Sequence, residues 1–232
     1  MKQEKAMVLF SGGVDSTTCL ALAIEQFGKE NVIPLSISYG QKHEKEIESA
    51  KKILEYYQIE GKTMDLTSIF SGSNCSLLKS STEDIPESSY EEQLKGKEEP
   101  VSTYVPFRNG LFLSTAAAIA LSEGCTWIYY GAHKDDAVGS AYPDCSESFF
   151  NAMNEAIYEG SGKMVQLKAP FIQKNKADIV KEGLRLEVPY ELTWSCYEGK
   201  EEPCGKCGTC IDRQKAFLAN GVMDPLLRGK ER

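Results

Sequence analysis

A turn built on two adjacent glycines, directly after a short apolar run, constrains the fold of this chain more than any other feature. The run, residues 6–10, is followed by Ser-Gly-Gly-Val-Asp-Ser at residues 11–16 (the glycine turn) and then by a helical pattern. This order predicts a strand, a tight turn and a helix. The first turn of such a helix offers unpaired backbone N–H groups and the positive end of the helix dipole. The glycine turn is therefore predicted to bind phosphate.

The side chains of the glycine turn refine the predicted ligand. Gly12 and Gly13 allow the backbone to close on an anion. Hydroxyl donors are added by Ser11, Ser16, Thr17 and Thr18. Asp15 would repel phosphate oxygens unless a Mg²⁺ ion lay between them. We therefore interpret the turn as a site for the pyrophosphate end of a Mg-nucleotide; the alternative is that the hydroxyls only cap the helix.

The composition favours small-molecule ligands over nucleic acids. The 232 residues include 26 basic and 34 acidic ones, for a net charge of −8. A protein that grips the nucleic-acid backbone regardless of sequence needs a basic face, so no direct nucleic-acid partner is expected. No apolar run approaches the ~20 residues of a membrane span, and the N-terminal residues lack the apolar region of a signal peptide. We expect a cytoplasmic protein without a membrane partner.

Strand-like and helix-like patterns alternate along most of the chain. Helical stripes of apolar residues separate the strand-like segments, which are residues 6–10, 32–39, 63–66, 127–131 and 165–169. This alternation predicts a Rossmann-like α/β fold, in which helices flank a five-stranded parallel sheet. Ligands of such sheets bind at the carboxyl ends of the strands, where the glycine turn also lies.

Residues 71–102 lack this periodicity. Ser, Glu, Lys, Gly and Pro dominate the segment, and no apolar stripe persists. A long stretch of this kind within a compact domain is typical of a lid or a mobile loop. We interpret it as a mobile insertion in a single domain; the alternative is a solvated insertion without a function.

Four of the eight cysteines crowd near the C-terminus. Cys204, Cys207 and Cys210 repeat the Cys-x-x-Cys spacing that lets two thiolates reach one metal ion, and Cys196 completes a set of four. Four protein ligands leave no open position, so segment 194–220 is predicted to hold one structural zinc ion per chain. An iron–sulfur cluster is the main alternative. Cys19 and Cys125 are predicted to be core residues.

With both features in place, nearly the whole chain resembles the 7-cyano-7-deazaguanine synthase family of queuosine precursor biosynthesis. The glycine turn matches the SGGxDS signature of the ATP pyrophosphatase superfamily. The more specific resemblance combines the four cysteines with the motifs at residues 10–20, 39–43 (YGQKH), 106–109 (PFRN) and 142–145 (YPDC). It implies one ATP-pyrophosphatase domain over residues 1–232, with the adenine nucleotide alpha hydrolase-like (HUP) form of the Rossmann-like fold.

The resemblance implies an ATP-dependent ligase that converts 7-carboxy-7-deazaguanine and ammonia to 7-cyano-7-deazaguanine through an adenylated acid and an amide. Each stage would consume Mg-ATP and release pyrophosphate. The implied ATP-binding residues are Phe10, Ser11, Gly12, Gly13, Val14, Asp15, Ser16, Thr17, Thr18, Cys19 and Leu20. The implied catalytic residues are Asp15 and Lys176. Lys176 resembles the phosphate-neutralising lysine of the superfamily, although an exposed helix lysine is the alternative.

The resemblance also implies a substrate site, made by Arg108, Asp136, Tyr142, Asp144 and Cys145. The Arg108 guanidinium would clamp phosphate or the substrate carboxylate. The Asp144 carboxylate would pair with the N–H edge of the deazaguanine, and the Tyr142 ring would stack on it. Whether Cys145 acts as a nucleophile stays open.

Two further residues have less defined roles. Asp135 or Asp136 would hold Mg²⁺ or support the substrate. His43 would contact the nucleotide, shuttle a proton or make a structural hydrogen bond.

Other functions remain to be weighed against the ligase. A tRNA thiolase of the same superfamily would need a basic docking surface, and a ligase acting on another acid would share the fold. A non-enzymatic nucleotide sensor or zinc-organised scaffold would have kept the glycine turn but not the activity. Exposed aromatic residues such as Tyr56 and Tyr57 lead us to expect a homodimer.

Overall fold

A five-stranded parallel sheet lies at the centre of the computed structural model, which describes residues 4–42, 45–88, 92–93 and 100–227. The strands are β1 (Ala6–Leu9), β2 (Val32–Ser38), β3 (Lys62–Asp65), β4 (Trp127–Tyr129) and β5 (Gln166–Lys168), in the order β3-β2-β1-β4-β5. All four neighbouring pairs are parallel. The predicted Rossmann-like sheet is confirmed, because the chain starts in the centre and extends to each edge in turn.

Helices cover both faces of the sheet. They are α1 (Val14–Phe27), α2 (Lys45–Tyr57), α3 (Arg108–Glu123), α4 (Glu147–Gly160), α5 (Lys176–Arg185) and α6 (Gly208–Ala219). Apolar residues of α1, α2, α5 and α6 form one buried cluster, and those of α3 and α4 form a second one.

The central strand β1 divides the core. Ala6 and Val8 pack into the first cluster and Met7 into the second, and all three are fully buried. Successive side chains of a strand point to opposite faces, so a strand with helices on both sides is apolar throughout. Cys19 and Cys125 are buried in these two clusters, as predicted.

The described part of the predicted insertion packs on the sheet edge. Cys75, Leu77 and Leu78 are buried against Tyr39 and Val105. Two backbone hydrogen bonds join this segment to the residues that follow β2, from Lys42 N to Leu77 O at 2.8 Å and from Lys79 N to Gly40 O at 2.8 Å. The periodicity fails over residues 71–88 because they form turns and one isolated bridge, between Gln41 and Leu78. The start of the insertion is therefore anchored.

Two sequence-based points concern other parts of the chain. No helix among the described residues combines the length and the apolar character needed to cross a bilayer. His43, for which we considered a nucleotide contact, lies outside the described residues.

Candidate functional site

A cavity of about 620 Å³ opens at the carboxyl ends of the strands. Its walls are formed by the glycine turn, the ends of β2 and β3, the first turns of α2 and α3, the segment after β4 and the segment between α5 and α6. Predicted site residues on its lining are Phe10, Ser11, Gly13, Val14, Asp15, Ser16, Arg108, Asp136, Tyr142, Cys145 and Lys176. The fold thus brings residues from distant parts of the sequence to one cavity.

The shape of the glycine turn depends on Gly12. Its φ is +84°, and a Cβ atom there would lie 2.6 Å from Ala50 N and 2.8 Å from Glu46 O of α2. Only glycine combines a positive φ with such a close approach. The Gly12 carbonyl accepts a hydrogen bond from Trp194 N at 3.0 Å. Helix α2 and the segment before the cysteines therefore hold the turn from two sides.

The N-terminus of α1 has the features of an anion site. Gly13 is the N-cap residue and provides no side-chain cap. The Ser11 and Ser16 hydroxyls lie 3.2 Å apart, and Ser16 also accepts from Ser11 N at 3.2 Å. Without a side-chain cap, the first N–H groups and two adjacent hydroxyls are available to a phosphate group.

Four of the residues predicted for ATP binding lie in the core. Thr17, Thr18, Cys19 and Leu20 are fully buried. The Thr17 hydroxyl donates to Gly13 O at 2.7 Å, and the Thr18 hydroxyl to Val14 O at 2.8 Å. These residues form the start of the helix but do not line the cavity. They continue the sequence motif, yet in α1 they belong to the buried face of the helix.

The Asp15 carboxylate contacts two basic side chains of the site, Lys176 and His133. Lys176 Nζ donates to its Oδ2, and His133 Nε2 lies 3.8 Å from the same oxygen. Burial acts to raise the pKa of Asp15, but Lys176 and His133 outweigh it, so the pKa is lowered and the carboxylate stays ionised. Its other oxygen, Oδ1, is buried without a hydrogen-bond partner among the described residues. A free carboxylate oxygen beside a phosphate site fits a Mg²⁺ ligand.

The two neighbouring aspartates after β4 have different places. Asp135 Oδ2 accepts from Lys176 N at 2.8 Å and so supports the first turn of α5. Asp136 lines the cavity, and its Oδ2 lies 3.3 Å from His133 Nε2. The sequence does not distinguish these adjacent carboxylates, whereas the structure brings only Asp136 to the cavity.

Arg108 lies at the first position of α3, and its side chain packs against two aromatic rings. Its guanidinium carbon lies 5.4 Å from the centre of the Tyr39 ring and 5.9 Å from that of Phe112. Burial acts to lower the pKa of Arg108, but Tyr39, Asp144 and other groups raise it above the ordinary value. A fixed, stacked cation on the cavity wall suits recognition of a planar anion.

The YPDC motif provides both lining and support. Tyr142 and Cys145 line the cavity, and the Tyr142 hydroxyl lies 2.6 Å from the Thr103 hydroxyl. Asp144 is buried behind them, and its Oδ2 accepts from Asn109 N at 2.8 Å. Asp144 therefore lies where it supports the start of α3.

Cys145 has little thiolate character in this environment. Its Sγ lies 3.2 Å from Asn109 Nδ2. Burial raises the pKa of the thiol well above its ordinary value, and the nearby aspartates Asp136 and Asp144 add to this effect. Because the thiolate is the nucleophile, the arrangement favours a lining role over a covalent one.

Two residues of the site, one on the cavity wall and one beside it, were not predicted from the sequence. Glu46, on the first turn of α2, lines the cavity; burial raises its pKa to about 7, although Arg108 opposes the shift. His133 contacts the Asp15 and Asp136 carboxylates. His133 follows a predicted strand end, which is a usable signal, whereas Glu46 is one of many glutamates on a helix.

The four predicted cysteines form one cluster (the four-cysteine cluster). The Sγ atoms of Cys196, Cys204, Cys207 and Cys210 all lie within 4.8 Å of one another. Around zinc, with bonds of about 2.3 Å, tetrahedral thiolates lie about 3.8 Å apart. Backbone N–H groups also point at sulfur, from Cys204 to Cys196 at 3.3 Å and from Cys207 to Cys204 at 3.3 Å. This donor set can hold a metal ion.

Comparisons with known proteins agree with these features. The family model described as "Queuosine biosynthesis protein QueC" matches residues 5–221. A 7-cyano-7-deazaguanine synthase of Archaeoglobus fulgidus is 43% identical over 228 residues, covering 98% of this chain and 91% of the relative. One from Thermoplasma acidophilum is 44% identical, covering 97% and 92% of the two chains.

Two solved structures share the fold at low identity. The U34-tRNA thiolase NcsA from Methanococcus maripaludis, solved with its [4Fe-4S] cluster, matches with a TM-score of 0.51 and 18% identity over 82% of this chain. The chain spans 59% of that thiolase. An NMN synthetase from Francisella tularensis also gives 0.51, with 16% identity over 96% of this chain and 79% of the synthetase. These similarities show the fold alone.

Proposed function

Because the chain belongs to the QueC family of queuosine biosynthesis proteins, we propose that it is an ATP-dependent ligase that makes 7-cyano-7-deazaguanine from 7-carboxy-7-deazaguanine and ammonia. One observation carries the proposal. The glycine turn, with Asp15 and Lys176, shares a single cavity with Arg108, Tyr142 and Cys145. A phosphate site and a site for a planar anion in one cavity favour transfer of a nucleotide to an acid.

The reaction needs activation at both stages. In the first stage, a carboxylate oxygen attacks the α-phosphorus of ATP, pyrophosphate leaves, and ammonia then displaces AMP from the acyl carbon to give the amide. In the second stage, the amide oxygen attacks the α-phosphorus of a second ATP, pyrophosphate leaves again, and the amide nitrogen loses a proton. Loss of AMP and a proton from this adduct leaves the nitrile. Each stage therefore turns a poor leaving group into AMP.

The chain contributes mainly position and charge to these steps. The N–H groups of α1 and the Ser11 and Ser16 hydroxyls would bind the departing pyrophosphate. Lys176, whose Nζ already faces this end of the cavity, would neutralise charge that develops between the α- and β-phosphates. Asp15 would hold the Mg²⁺ ion through its unpaired Oδ1. When bound, this ion supplies positive charge to the phosphate oxygens.

The opposite wall would orient the acid. The Arg108 guanidinium matches a carboxylate in charge and planar shape. Tyr142 and Cys145 close the cavity with buried side chains and so exclude water from the activated acid. Asp144, behind this wall, would act by holding Asn109 and the start of α3.

The rest of the assembly follows from the same proposal. The four-cysteine cluster would hold one structural zinc ion per chain, because four thiolates leave no open position. We propose a single domain that works as a homodimer with small-molecule partners. Tyr56 is 54% exposed on α2 and offers part of such an interface.

The test is incubation of the protein with 7-carboxy-7-deazaguanine, ammonium and Mg-ATP, followed by mass spectrometry. We expect the nitrile, with AMP and pyrophosphate as co-products and the amide as an intermediate. Omission of ammonium should stop the reaction at the adenylated acid. Unchanged acid with folded, zinc-loaded protein would overturn the proposal. A brown iron chromophore together with inactivity on the acid would favour a thiolase instead.

A further inference from the structure

His133 lies beside the cavity and contacts two carboxylates that line it, those of Asp15 and Asp136. It follows β4 by four residues, and its side chain is only 4% exposed. The preceding Gly131 lies so close to α1 that a Cβ atom there would be 3.2 Å from Asp15 Cβ. The segment after β4 therefore lies close against the first turn of α1. Two residues after Gly131, the chain buries an imidazole beside two carboxylates.

One nitrogen of His133 faces both carboxylates. Nε2 lies 3.3 Å from Asp136 Oδ2 and 3.8 Å from Asp15 Oδ2. Two carboxylates that approach the same point repel each other, and an N–H group between them removes much of this cost. Lys176 contacts the same Asp15 oxygen from α5, whereas Asp136 Oδ2 is approached at this point by His133 Nε2.

The contact reaches both walls of the cavity. On one side, Asp15 belongs to the glycine turn. On the other side, the Asp136 carbonyl accepts from Tyr142 N at 3.1 Å, which ties Asp136 to the YPDC motif. Movement of Asp136 would therefore be transmitted to the wall that we assign to the acid.

Two buried atoms beside this contact lack partners. Asp15 Oδ1 and His133 Nδ1 have no hydrogen-bond partner among the described residues. Buried polar groups are almost always paired in folded proteins. The unpaired Asp15 Oδ1 marks this contact as a place where a bound cation would complete the structure.

We propose that His133 is a positioning residue, which holds the Asp15 and Asp136 carboxylates at a common point and thereby couples nucleotide binding to binding of the acid. This inference rests on the proposed function. In this role His133 touches neither reactant. It acts through the two carboxylates, with the proton on Nε2 and Nδ1 left as an acceptor.

Two substitutions separate this role from simple space filling. His133→Gln places an amide N–H near the position of Nε2, whereas His133→Asn places it near Nδ1. We expect His133→Gln to stay within about threefold of wild type and His133→Asn to lose about 10- to 100-fold in kcat/KM for both ATP and the acid, as for other groups that orient ligands. Equal effects of both substitutions, or full activity of His133→Asn, would overturn the proposal.

A second measurement does not depend on the folding of the histidine variants. Asp136→Asn should weaken Mg-ATP binding, measured by calorimetry, by about 10-fold, because the loss is transmitted through His133. An effect confined to the KM of the acid would overturn the coupling. If the wild-type protein binds Mg-ATP without converting the acid, the proposed function fails, whereas the calorimetric comparison still decides on His133.

Discussion

Lys176 Nζ donates to Asp15 Oδ2 and so joins the first turn of α5 to the first turn of α1. The two residues are 161 positions apart in the sequence. Their contact lies at the carboxyl edge of the sheet, where the proposed phosphate site and the proposed acid site meet. The pair fixes a carboxylate and an ammonium group at the point where pyrophosphate would separate from AMP.

Lys176→Met should abolish most adenylation. We expect kcat/KM for ATP to fall by about 100- to 1000-fold, because a fixed positive charge at the reacting phosphates is lost. Pyrophosphate release under steady-state conditions gives the measurement. Lys174→Met is the matched control, since Lys174 is exposed two residues earlier, and it should stay within about twofold. Equal activity of both variants would contradict the role of Lys176.

Removal of the metal should destabilise the protein. We expect about one zinc ion per chain by elemental analysis, and a metal content well below one in Cys207→Ser, with a lower Tm. Cys125→Ser, at a buried cysteine outside the cluster, is the control and should keep its zinc. Full zinc content in Cys207→Ser would show that this thiol is not a ligand.

Arg108→Lys should raise the KM for the acid by about 10- to 100-fold. Lysine keeps the charge but loses the planar fork and the stacking on Tyr39. The KM for ATP should change far less, which separates the acid site from the phosphate site. Arg185→Lys is the control, because Arg185 pairs with Glu25 and Glu182 on the surface. A selective rise in the KM for ATP would instead place Arg108 at the nucleotide.

Glu46→Gln should stabilise the protein relative to the wild type, and this stabilisation should increase as the pH rises. Burial raises the pKa of Glu46 from 4.5 to about 7, so the folded state binds this proton more tightly than the unfolded state. Protonated Glu46 therefore contributes to the free energy of unfolding of the wild type. This contribution is fully present below about pH 4.5 and is lost as the pH rises through about 7. The difference in Tm between variant and wild type should therefore grow from about pH 5 to about pH 8. Glu55→Gln, at an exposed position of the same helix, should give a difference that does not depend on pH.

The fold and the cysteine set could be predicted from the sequence because their signals are local. Each strand is a short apolar run, and Cys204, Cys207 and Cys210 lie within seven consecutive residues. The position of Asp15 after two glycines likewise marks the phosphate end. In each case, neighbours in the sequence remain neighbours in space.

The remaining features depend on contacts between distant segments. The supporting role of Asp144 depends on its hydrogen bond from Asn109, 35 residues earlier. The choice between Asp135 and Asp136 depends on which one faces α5. Thr17 and Thr18 could not be separated from the phosphate donors, because a hydroxyl on the buried face of a helix has the same sequence signature as one on the open face.

The hydrogen bond from Trp194 N to the Gly12 carbonyl means that the glycine turn depends on a residue far away in the sequence. A shortened chain that ends before Trp194 would retain every residue of the glycine turn but would lose this backbone hydrogen bond to it. The signature near the beginning of the sequence is thus completed by an amide close to its end, and protein engineering of either must treat both as one unit.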